Sequence, residues 1–81
     1  MIFGAQVLVR LKDGIADPQG QTIAKALPAL GFSEVTGVRV GKLIELQVEA
    51  PDELEARRRV AEMCRRLLAN PVIEVFEVGL T

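Results

Sequence analysis

The sequence predicts an α+β sandwich with the element order β-α-β-β-α-β, and three observations carry that prediction. Residues 3 to 11 alternate apolar and polar side chains with period two. Two later stretches, around Ile23 to Leu30 and Leu54 to Leu68, repeat their apolar residues at helical spacing instead. Between them lie two extended segments that meet near Gly41, a connection so short that it reads as a hairpin.

Each element follows from its residues. In Phe3 to Leu11, the side chains of Phe3, Ala5, Val7, Val9 and Leu11 share one face, with Gln6, Leu8 and Arg10 on the other. Lys12-Asp13-Gly14 breaks that strand. Asp17-Pro18 then reads as an N-cap followed by proline at the first helical position, where its missing N–H costs nothing. Ile23, Leu27 and Leu30 form the stripe of this helix and Gly31 supplies a left-handed stop, while Pro28 predicts a kink or a tightened last turn. Glu34 to Val40 and Lys42 to Glu49 read as strands, the second with Ile44, Leu46 and Val48 alternating against Glu45, Gln47 and Glu49.

Pro51-Asp52-Glu53-Leu54-Glu55 opens the second helix, with acidic residues at the positive end of its dipole and Asp52/Glu55 as a capping pair. Leu54, Val60, Ala61, Cys64, Leu67 and Leu68 form its apolar stripe, Arg65 and Arg66 sit near its negative end, and Asn70-Pro71 stops it. Val72 to Val78 is the last strand. Residues 3–41 and 43–79 thus read as two similar halves of a single domain spanning 1–81. Two right-handed β-α-β crossovers joined by a hairpin give a ferredoxin-like sandwich: a four-stranded antiparallel sheet with both helices on one face.

Composition narrows what such a domain can do. Ten Lys and Arg against eleven Asp and Glu give a net charge of −1, which argues against a dedicated nucleic-acid binder. With no histidine and a single cysteine, the chain has neither the commonest general base nor an internal disulfide. No cofactor or metal is expected on it, and no catalytic residue. Apolar runs stay short of a membrane span, Met1-Ile2-Phe3 lacks a charged signal-peptide start, and the free thiol points to the cytoplasm. A domain of 81 residues without staples has a marginal core.

Local clusters read blandly. Cys64 belongs to packing rather than nucleophilic chemistry. Arg57-Arg58-Arg59 with Arg65-Arg66 is offset by the i,i+4 pairs Glu55–Arg59, Arg58–Glu62 and Glu62–Arg66. The strand Lys42 to Val48 has no aromatic residue on which RNA bases could stack. Lys12-Asp13-Gly14 and Asp17-Pro18-Gln19-Gly20 flank a helix N-terminus, a potential anion cradle, but the loop lacks the arginine and glycine-rich turn of acylphosphatases. An ACT-like module sensing a small ligand near that turn is the alternative function. On the outer sheet face, Leu8 and Leu43 point away from the helices, and Ile73 and Val75 make the last strand apolar on both sides. Those exposed aliphatics predict self-association.

Three segments carry a family resemblance. Val38-Arg39-Val40-Gly41-Lys42-Leu43-Ile44-Glu45-Leu46, Met63-Cys64-Arg65-Arg66-Leu67-Leu68-Ala69-Asn70-Pro71-Val72-Ile73-Glu74, and Asp17-Pro18-Gln19-Gly20 leading to Leu30-Gly31-Phe32 resemble the PurS family. Pro28 and Val75-Phe76 depart from its pattern. The resemblance implies the small subunit of phosphoribosylformylglycinamidine (FGAM) synthase in purine biosynthesis. In that complex a glutaminase subunit releases ammonia, and a synthetase subunit uses ATP and Mg to couple it to formylglycinamide ribonucleotide. It implies a non-catalytic role that bridges both subunits and assists ammonia transfer, in a homodimer or homotetramer. The family transfers no catalytic motif, so Arg39, Gly41, Lys42, Asn70 and Pro71, with Leu8 from the sheet reading, are interface candidates only.

Overall fold

The structure, a computed structural model, describes residues 1–81 and is organised around its first strand. Strand β1 (Ile2–Leu11) pairs antiparallel on one side with β2 (Gly41–Glu49) and on the other with β3 (Glu74–Leu80). The period-two alternation does what it predicts. Ala5, Val7 and Val9 are buried, and Leu8 points the other way, directly opposite Leu43. The last strand begins at Glu74 rather than Val72, because residues 71 to 73 form a turn.

Helix α2 (Glu53–Met63) covers the inner face. Asp52 caps it by accepting from the Glu55 amide at 2.8 Å, and Glu53 and Glu55 occupy its first turn. Ala56, Val60 and Cys64 descend from it into a cluster with Ala5, Val7, Val9, Val48, Ala50 and Ala69. A five-residue π-turn, Cys64–Leu68, ends the helix, closed by the Ala69 amide donating to the Cys64 carbonyl at 3.0 Å. An ordinary α-helical turn would have brought Leu67 and Leu68 inward together. The wider turn carries Leu68 and Ala69 to the core and leaves Leu67 83% exposed. Leu54 is likewise outside, at 79%, so two of the leucines in the predicted stripe face solvent.

The expected four-stranded sheet with both helices on one face is corrected by the structure. The sheet has three strands in the order β2-β1-β3, and residues 35–40 belong to no strand. Two-residue hairpins need positive φ at the turn, and the only positive-φ residues here are Gly14 and Gly31. Gly41 is instead the first residue of β2, so the chain passes into that strand without doubling back. Upstream, the Val40 amide donates to Asp17 at 2.8 Å and the Arg39 guanidinium pairs with Asp13 at 3.0 Å. These contacts hold residue 40 at the start of the first helix and residue 39 beside the end of β1. The amides of Thr36 to Arg39 have no backbone partner.

Helix α1 (Pro18–Ala29) therefore stands off the sheet. Asp17 caps it and Gly31, at φ +100°, ends it as expected, with Pro28 tolerated in the last turn before the Leu30 cap. Its apolar stripe finds no cover: only Gly20 is buried, Ile23 is exposed, and Leu30 is 72% exposed. The Cα radius of gyration is 16.2 Å, where a compact chain of this length gives ~12 Å. The surface area of 5914 Å² compares with about 4,800 Å² for a compact monomer of this mass. Roughly 1,100 Å² more than a closed domain exposes is left open. The two halves of the sequence are thus not structurally equivalent, since only the second packs its helix.

Candidate interaction surface

Five of the six interface candidates gather at one end of the sheet. Arg39 reaches the end of β1, where it pairs with Asp13 and also donates to the Leu11 carbonyl. Gly41 and Lys42 sit opposite Arg10 and Val9 in the ladder. On the other flank, the Lys12 amide donates to the Ile73 carbonyl at 2.8 Å and Leu11 pairs with Glu74. That brings the Asn70-Pro71 corner to the same end. Asn70 organises the corner: its side-chain oxygen accepts from the Val72 amide at 3.0 Å, and its own amide donates to Glu74 at 2.7 Å. A shallow cavity there is lined by Asp17, Gly41, Lys42 and Glu74, among others.

Leu8 stands apart, in the middle of the outer sheet face. It is 48% exposed beside Leu43 at 51%, with Val75 exposed two rows along β1 opposite Arg10. The Arg10–Glu77 ion pair at 3.0 Å spans β1 and β3 on this face. An aliphatic strip bordered by charge lies open to solvent there.

The helix N-terminus does not form an open anion cradle. Asp17 fills it with its own carboxylate, accepting from Gly20 at 3.0 Å and from Val40. Those two backbone hydrogen bonds, Val40 first, hold its carboxyl below the usual range. Cys64 is fully buried, and burial pushes its thiol up, away from the thiolate that nucleophilic chemistry needs. No three of the Cys, Asp and Glu side chains converge as a metal-ligand set.

The arginine pairing differs from the expected i,i+4 pattern. Glu55 bonds Arg58, through two contacts at 2.6 and 2.9 Å, and Glu62 bonds Arg65 at 3.0 Å, both three residues apart. Glu53 reaches Arg57 at 3.6 Å. Arg59 and Arg66 are left without an ion pair. Sequence periodicity missed this because i,i+3 and i,i+4 partners compete on one helix face and rotamers decide between them. It also missed the detached first helix, for which its thin aliphatic stripe among Gln19, Gln21, Thr22 and Lys25 was the only hint.

Comparison with known proteins fits this architecture. Residues 4–81 match the family model described as PurS: Phosphoribosylformylglycinamidine (FGAM) synthase. The phosphoribosylformylglycinamidine synthase subunit PurS of Archaeoglobus fulgidus is 46% identical over 74 residues, covering 91% of this chain and 92% of the relative. Among solved structures, Methanocaldococcus jannaschii PurS, one of the subunits of formylglycinamide ribonucleotide amidotransferase in the purine biosynthetic pathway, superposes with a TM-score of 0.87. It is 39% identical and covers 98% of this chain and 95% of its own. A chain of the PurLQS structure from Thermotoga maritima superposes with a TM-score of 0.92 at 34% identity, covering 100% and 99%. Matches of 98–100% of the chain in solved structures include the outstretched first helix as well as the sheet.

Proposed function

Because the chain belongs to the PurS family, we propose that it is the small subunit of FGAM synthase, acting in purine biosynthesis. The full-length match to a chain of PurLQS carries this reading. Its role is assembly rather than chemistry: it bridges the glutaminase and synthetase subunits and assists ammonia transfer, in the cytoplasm, while the synthetase uses ATP and Mg. The support is a chain with no histidine and a buried, up-shifted thiol. No helix is long and apolar enough to cross a membrane. The relatives found are PurS subunits, which disfavours the ACT-like reading, and Asp17 already occupies the turn a small anionic ligand would need.

The working form is a homodimer or homotetramer. Open surface of roughly 1,100 Å² per chain exceeds the ~800 Å² that each partner contributes to a standard stable interface. The uncovered stripe of α1, the unpaired amides of Thr36 to Arg39 and the Leu8–Leu43 strip supply helix, strand edge and sheet face for a second copy. Arg39, Gly41, Lys42, Asn70 and Pro71 shape the end of the sheet from which the α1 arm departs.

Reconstitution tests the role. Adding the protein to its glutaminase and synthetase partners should restore transfer from glutamine far more than synthesis from free ammonia. Equal effects on both would argue against assembly and ammonia transfer.

A further inference from the structure

The sheet ends on an open edge at β2, and its hydrogen bonds show which groups lie there. The Ala50 amide donates to the Met1 carbonyl and the Thr81 amide to the Gly4 carbonyl. Bonding along β1 alternates accordingly, with odd-numbered residues turned to β2 and even-numbered ones to β3. In that register the even-numbered residues of β2 face β1, so the backbone groups of Gly41, Leu43, Glu45 and Gln47 point away from the sheet. Upstream, residues 35–40 contain neither turn nor bend. Val40 turns its amide to Asp17 on the β1 side, which by the same alternation points Gly37 and Arg39 outward, and their amides have no backbone partner. One extended edge runs from Val35 through Gly41 to Gln47.

This edge is complementary to itself. Antiparallel pairing of two copies about a two-fold axis at Gly41 matches Arg39 with the partner's Leu43 and Gly37 with the partner's Glu45, all of them positions with outward backbone groups. On the inner face it sets the half-buried Val38 opposite the partner's Ile44. On the outer face Arg39 lies diagonal to the partner's Glu45, opposite in charge. An axis at Lys42 would set two lysines against each other, and the register between the two would mix inner with outer residues.

We propose that two copies join through this edge, residues 35–40 of each pairing with residues 42–47 of the other about Gly41. The fourth strand that the sequence predicts is then supplied in trans, because Gly41 does not turn and Asp17 holds residue 40. The uncovered stripe of α1 comes to lie toward the half-buried Ile44 and Leu46 of the partner. The roughly 1,100 Å² that each chain exposes beyond a compact monomer exceeds the ~800 Å² per partner of a stable interface. The inference rests on the homo-oligomer proposed above and gives it a register. The Leu8–Leu43 strip, on the flat of the sheet, stays free to join two such pairs.

Paired cysteines in the full-length protein read that register. Gly37→Cys/Glu45→Cys places thiols on a hydrogen-bonded pair whose Cα atoms are ~5.5 Å apart, within disulfide reach. Oxidised glutathione should convert most of this variant to a covalent dimer on a non-reducing gel, and neither single variant should cross-link. A disulfide within one chain would show the closed hairpin and overturn the inference. Glu45→Pro removes an outward amide and no bond of the β1–β2 ladder. Its circular dichroism should persist, while the loss of two hydrogen bonds per dimer weakens association in sedimentation by about ten-fold or more. An oligomer that persists in Glu45→Pro and leaves the cysteine pair reduced overturns this register but not the homo-oligomer. A wild-type protein that is monomeric at every concentration overturns both. The cysteine result decides where the two variants disagree or the proline variant does not fold.

Discussion

The carboxylate of Asp17 accepts a hydrogen bond from the Val40 amide at 2.8 Å, joining residues 23 apart in sequence. The same side chain caps α1 through Gly20 at 3.0 Å. A Cβ at Gly20 would stand 2.8 Å from the Val38 carbonyl, so only glycine allows the helix start and the segment before β2 to touch. This clasp sets where the α1 arm leaves the sheet. Asp17→Ala should remove the cap and free residues 38 to 40 together. Hydrogen exchange at the Gly20 and Val40 amides should accelerate, and Tm should fall by roughly 4–8 °C.

The pH dependence of the clasp follows from its sign. Asp17 is held below its ordinary value in the folded chain, so its contribution is fully present above that value. It is lost as the pH falls through the lowered folded value. The stability difference between wild type and Asp17→Ala should therefore be constant near neutrality and shrink in acid below the ordinary carboxylate range. A difference that grows in acid would contradict this account.

Leu8→Asp separates a solvated sheet face from an association surface. On a solvated face it should change single-chain stability by no more than about 0.5 kcal/mol. At a self-association surface it buries an uncompensated charge in each copy, at a cost of roughly 3–5 kcal/mol. The expected outcome is unchanged circular dichroism and a shift to a smaller species in light scattering. A fully oligomeric variant would place association on the α1 arm and strand edge instead.

Gly41 permits a close backbone approach at the start of β2. A Cβ there would meet the Val9 carbonyl oxygen at 2.6 Å, and backbone cannot easily move aside. Gly41→Ala should cost roughly 1–3 kcal/mol in denaturant unfolding. Gly37→Ala is the control, because nothing lies within 4 Å of its added methyl. It should leave the single chain unaffected.

Cys64 should behave as a core residue. Cys64→Ser places a hydroxyl among Ala56, Val60 and the sheet valines and should lower stability by roughly 1–3 kcal/mol. Activity of the assembled complex should survive at temperatures where the variant stays folded, and the native thiol should resist alkylation. Loss of activity at unchanged Tm would assign it a chemical role.

Local sequence was sufficient for whatever depends on neighbouring residues. The alternation of Phe3 to Leu11 puts Val7 and Val9 inside and Leu8 outside, Asp17 and Asp52 cap the helices, Gly31 ends the first, and Cys64 is buried. Those features follow from backbone periodicity and from hydrogen bonds three residues long. Tertiary structure decided the rest. Glu34 to Val40 has the composition of a strand, yet it lies unpaired, because Asp17 and Asp13 hold its end and Gly41 does not turn. The aliphatic stripe of α1 names a face to be covered without saying which chain covers it. Leu67 lies on the stripe by spacing and in solvent by virtue of one extra residue in a π-turn. Periodicity fixes which side of an element is apolar, whereas contact between distant segments depends on where the chain is held, and here the carboxylates of Asp17 and Asp13 hold it away from the sheet.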